Sequence, residues 1–100
     1  KVSENFKFKL YSNGIVVNNL TSKEIEKLNN KRYVLFLLNG NIKLPFKNYN
    51  AGEIVNPIKP VLLDKSMFSK DISYLRILYQ NLVPFIMSNP SFAEQIDLNQ

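Results

Sequence analysis

Asn13-Gly14 lies between two runs of strand-forming residues, and it constrains the fold more than any other short signal in the chain. An Asn-Gly pair suits a two-residue type I′ turn, in which both central residues take positive φ. The stretch Phe6–Asn19, FKFKLYSNGIVVNN, is therefore expected to form an antiparallel β-hairpin. Pairing across the turn sets Ser12 opposite Ile15, Tyr11 opposite Val16 and Leu10 opposite Val17. Successive side chains on a strand point to opposite faces. Phe6, Phe8, Leu10 and Val17 then share an apolar face, while Lys7, Lys9, Tyr11 and Val16 share a mixed one. That pattern fixes the register of a half-buried hairpin.

One hundred residues, 45% of them hydrophobic, suffice for a single domain with a real core. Cysteine and histidine are both absent, which removes disulfides, thiolate chemistry, the commonest general base and the commonest metal ligand. The lack of cysteine fits a reducing compartment, so a cytoplasmic or nuclear setting is expected. The run Val34–Leu38 is too short to span a membrane. The chain begins at Lys1, as expected of a piece of a longer protein. Its formal charge is +5, carried mostly by scattered lysines rather than arginines. Arginine reads phosphates and base edges better, so nucleic acid is not the expected partner. Glu4, Glu24, Glu26, Glu53, Asp64, Asp71, Glu94 and Asp97 form no pair at acid/base spacing, and three glycines make no phosphate-cradling loop. Neither catalysis nor a bound cofactor or metal is expected.

Thr21 and Glu24 have capping-box spacing, with Leu20 and Ile25 placed for a hydrophobic staple. A short helix is predicted over about 22–29, burying Ile25 and Leu28 and ended by Asn29-Asn30. Over Lys31–Asn39, periodicity does not separate a buried strand from a buried helix. Gly40 suits a helix C′ position, whereas the β-branched and aromatic content favours a strand. Ile54–Leu63 contains Pro57 and Pro60 and reads as an edge or irregular strand, with Ile58, Pro60 and Leu62 on one face.

The order of these pieces resembles the SEP domain, found in UBX-containing adaptors of the valosin-containing AAA ATPase. Leu10-Tyr11-Ser12-Asn13-Gly14-Ile15-Val16-Val17-Asn18-Asn19 resembles the family's opening hairpin. Tyr33-Val34-Leu35-Phe36-Leu37-Leu38-Asn39-Gly40-Asn41-Ile42 is similar to its helix end, with Phe46 where the family has leucine. Ile58, Pro60, Leu62, Asp64, Lys65 and Phe68 resemble its last strand and turn. The likeness covers residues 6–68 and departs at Lys43 and Ser66, which replace a family proline and arginine. It tips residues 31–39 to helix. It also implies an adaptor or assembly role, with a AAA ATPase or ubiquitin-pathway component as partner.

Beyond it, Ser69–Gln100 reads as a helical extension of a single 1–100 domain. Ser69 can cap a helix carrying Asp71 in its first turn. Ile72, Leu75, Leu78, Tyr79, Leu82 and Val83 recur at helical spacing, and Pro84 should kink or end that helix. Ser91 can cap a last helix holding Phe92, Ala93 and Ile96. Leu75, Leu78, Leu82 and Ile86 are expected to pack on the domain. Tyr74, Ile77, Tyr79 and Phe85 are the candidate protein-binding residues, left for a partner or for self-association. The expected fold is α+β: a small antiparallel sheet opened by the hairpin, short helices on one face and an extra C-terminal helix. The expected function is a non-catalytic protein-interaction module. The alternative is a structural or oligomerisation domain working through its C-terminal helix.

Overall fold

A computed structural model describes residues 2–55 and 61–97. Its elements run α1 (Glu4–Asn13), β1 (Ile15–Val17), α2 (Ser22–Asn30), β2 (Tyr33–Asn39), β3 (Asn41–Lys43), β4 (Asn48–Asn50), β5 (Ile54–Val55), a 3-10 turn (Lys65–Met67), β6 (Ser73–Leu78), α3 (Tyr79–Ser88) and α4 (Pro90–Asp97). The fold is α+β. A four-stranded antiparallel sheet has the order β1-β6-β2-β5, and β3 and β4 pair as a separate ribbon.

The sheet separates two cores. On one face Leu35, Leu37 and Tyr74 meet Leu28 of α2, with Ile42 and Tyr49 of the ribbon. On the other, Val34, Phe36, Leu75 and Ile77 meet Phe6 and Leu10 of α1, Leu82 of α3, and Phe92 and Ile96 of α4. β2 and β6 are buried on both faces, so neither shows the alternation of a half-buried strand.

The predicted hairpin is overturned. Residues 4–13 are a helix: Ser3 accepts from the Phe6 amide at 3.3 Å and its carbonyl receives the Lys7 amide at 2.9 Å. Phe6 and Leu10, four apart, fall on one helix face and are fully buried. Val16 pairs with Leu75 rather than with Tyr11. Gly14 takes φ −112°, an extended conformation, so Asn13 and Gly14 make no positive-φ turn. A Cβ on Gly14 would lie 2.8 Å from the Leu10 carbonyl oxygen and 2.9 Å from Ile77 Cγ1. Glycine serves there for close approach of helix to sheet.

Residues 33–39 form a strand and not the helix that the SEP resemblance implies. Gly40 does take positive φ, +80°, but in the turn from β2 into β3. The helix expected around Ile72–Val83 is also corrected: Ser73–Leu78 is the strand β6, between β1 and β2, and helix begins only at Tyr79. Pro84 sits inside α3 instead of ending it. Ser69 does not cap a helix; its hydroxyl accepts from the Asn41 amide at 2.9 Å. Asn89, not Ser91, caps α4, accepting from the Ser91 amide at 3.1 Å.

α2 forms as expected, with Thr21 accepting from the Glu24 amide at 3.1 Å. No left-handed residue ends it, since its C-cap Lys31 is extended. Of the strand expected over Ile54–Leu63, Ile54–Val55 is β5, whereas residues 56–60, with Pro57, Ile58 and Pro60, lie outside the described residues. Leu62 is exposed and outside any strand.

Candidate docking edge

The four residues expected to form a protein-binding face do not form one. Tyr74 and Ile77 are fully buried, and on opposite faces of β6, because they are three apart on a strand. Tyr79 opens α3, where the Arg32 guanidinium stacks 3.6 Å from its ring centroid. Phe85 is half-buried under Lys9 Nζ at 4.6 Å.

Tyr74 instead belongs to a polar cluster beneath α2. Glu24 Oε2 accepts from the Tyr74 hydroxyl at 3.0 Å and lies 2.8 Å from Arg76 Nε. The Arg76 contact is ionic, since the Nε–H direction misses hydrogen-bond geometry. The Arg76 guanidinium also sits 5.2 Å from the Tyr33 ring centroid. Burial pushes the Tyr74 phenol well above its ordinary range, and the adjacent Glu24 charge and hydrogen bond add to this against the opposing Arg76. Both ends of the ion pair are about nine-tenths covered, so the cluster fixes α2 on the sheet and presents little to a ligand.

The exposed apolar surface lies one strand over. β1 is an edge: its register is with β6 alone, and no other strand among the described residues pairs with it. Ile15 and Val16 are 57% and 48% exposed, high for β-branched residues in a sheet. Val16 shares a cross-strand row with Leu75 and Phe36, and the Tyr11 ring meets Phe36 edge-on at 6.4 Å. Tyr11 and Phe8 on α1 are themselves 49% and 68% exposed. Both lie on the helix that leads through Gly14 into β1 and covers the face of the sheet to which Val16 points.

Edge strands are normally guarded by brevity, charge, proline or a bulge. β1 is short, at three residues, but the other devices do not occur along it: from Tyr11 to Ser22 there is no charged residue and no proline, and β1 pairs in regular register. Ile15 points to the face that α2 covers, since it stands opposite Arg76. On that face α2 carries Lys23 and Lys27, with Lys31 just beyond its end, all exposed. They border a groove with Thr21, Glu24, Glu26, Asn30 and Tyr33. None pairs with a carboxylate among the described residues. These residues, and not the tail, are what the sequence reading missed. The available signals were a β-branched triplet in a charge-free stretch and lysines at four-residue spacing.

No known protein family, curated protein or solved structure matches the chain. Among the described residues, no helix is long and apolar enough to cross a membrane, and no group of three acidic residues could hold a metal ion.

Proposed function

We propose that the domain is a non-catalytic protein-interaction module that docks an extended segment of another chain on the open edge of β1. The observation that carries this reading is the open β1 edge, which carries no charge, proline or bulge, with Ile15 and Val16 half exposed. Strand addition draws affinity from main-chain hydrogen bonds and specificity from alternate side chains. Here Val16 would supply an apolar contact on one face and Ile15 on the other. A role with a AAA ATPase or in the ubiquitin pathway is a narrower form of this proposal. It is carried by sequence resemblance alone: residues 10–13 and 33–39 fold as elements other than those it implies, while Ile15–Val17 is a strand as it implies.

The test is selection of linear peptides from a random display library on the folded chain, followed by amide shift mapping. Selected peptides should perturb Ile15–Val17 and lose affinity about tenfold or more in an Ile15→Ser, Val16→Ser double variant whose melt is near normal. Binders that leave Ile15–Val17 unperturbed, or the absence of binders, would overturn the proposal.

A further inference from the structure

Resting on the strand-docking reading, we infer that the segment received by β1 is acidic, with carboxylates on alternate positions that meet the lysine flank of α2. A strand added to β1 places every second side chain on the face that α2 covers. Asn29 lies on one flank of α2 and clasps the Leu63 backbone, donating to its carbonyl at 3.0 Å and accepting from its amide at 2.8 Å. β1 and β2 both pair antiparallel with β6 and so run parallel, with α2 as the connection between them; in the right-handed crossover that such connections take, the Asn29 flank faces β2 and β5. Helix spacing puts Lys23 and Lys27 on the opposite flank, toward β1, and Lys31, just past the helix end, borders the same groove. Glu24 also borders that groove, but Arg76 takes up its charge at 2.8 Å. Glu26 is the remaining carboxylate there, against three lysines.

The same geometry argues against a second copy as occupant. Two β1 edges pairing antiparallel would be related by a two-fold axis perpendicular to the joined sheet. Both α2 helices would then lie on the same side of it, with their lysine flanks facing each other, on chains of formal charge +5 each. Like charges brought together in that way oppose docking, whereas an acidic strand is drawn in.

Three nine-residue peptides alternating valine with glutamate, serine or lysine test this by anisotropy and amide shift mapping on the whole chain. The glutamate peptide should bind and shift Ile15–Val17. The serine peptide should bind roughly tenfold more weakly, the scale of a few exposed ion pairs, and the lysine peptide not measurably. A Lys23→Gln, Lys27→Gln, Lys31→Gln variant, with an unchanged circular dichroism spectrum, should reduce the glutamate peptide to the serine peptide's affinity. Equal binding of glutamate and serine peptides would overturn the acidic preference while leaving strand docking intact. Glutamate-peptide binding that shifts residues elsewhere but not Ile15–Val17 would overturn both. A dimer already present in sedimentation at about 0.15 M ionic strength, where the lysine flanks should still repel, and dissolved by Val16→Lys, would identify a second copy as the occupant and overturn the inference.

Discussion

At Glu24 one carboxylate meets a guanidinium and a phenol, and all three groups are largely out of water. Removing one partner of such a pair leaves the other charge desolvated and uncompensated, which costs more than the pair contributes. Arg76→Met should therefore destabilise by about 3–5 kcal/mol in urea melts, the range for breaking a mostly buried ion pair. Tyr74→Phe removes one hydrogen bond to a carboxylate but leaves the ion pair, and should cost about 1.5–3 kcal/mol. The tyrosine also sets a pH dependence. Its phenol ionises near pH 10 when unfolded and at higher pH when folded. Below about pH 10 both states keep the proton and this contribution is fully present. Above it the unfolded chain releases the proton first, so stability falls as pH rises. Melts from pH 8 to 11 should show that fall, shallower in Tyr74→Phe; identical slopes in the two proteins would exclude Tyr74 as the cause. The sequence showed Glu24 only as a capping-box partner. Its amide does bond Thr21, but its side chain crosses to β6, a contact set by packing between residues fifty apart in the chain.

Among the elements, α2 was legible because its signals are local: a capping threonine and apolar residues on one stripe. α1 was not, because two local signals compete over the same residues. Asn13-Gly14 and the alternation from Phe6 to Leu10 favour a strand, while Phe6 and Leu10 also satisfy helical spacing. The decision falls to tertiary packing, where both side chains fill the core against Phe92 and Ile77. β6 was misread for the related reason that a strand buried on both faces shows continuous apolar residues, which suit a helix equally. Gly14→Ala should cost roughly 1–3 kcal/mol through overpacking, because its Cβ meets the Leu10 backbone and Ile77. Gly40→Ala should cost at least about 2 kcal/mol, combining positive φ with a Cβ that meets Ser69 Oγ and Asp71 Oδ1. Gly52→Ala is the control, strained in φ but open in space, and should lose only about 1 kcal/mol. Thermal melts that placed Gly14→Ala level with wild type would remove the close approach of α1 to the sheet.

For the whole molecule, the fold leaves the β1 edge of the sheet open among the described residues and sets positive charge beside it, so self-pairing through that edge should be governed by salt. At 0.15 M ionic strength screening extends about 8 Å, and at 1 M about 3 Å. Lysine flanks facing each other across a two-fold would repel strongly in the first case and weakly in the second. The apolar contact of Ile15 and Val16 persists throughout and is strengthened by sulfate, which is excluded from protein surfaces. The chain should therefore sediment as a monomer at low salt and shift toward dimer as sodium sulfate is raised. The Lys23→Gln, Lys27→Gln, Lys31→Gln variant should reach the same dimer fraction at lower salt, because the repulsion has been removed directly. Val16→Lys should stay monomeric throughout, since a charge on a strand edge blocks edge-to-edge pairing. If the triple variant and wild type dimerise at the same salt concentration, the lysine flank does not face β1. If Val16→Lys dimerises as wild type does, association uses a surface other than this edge.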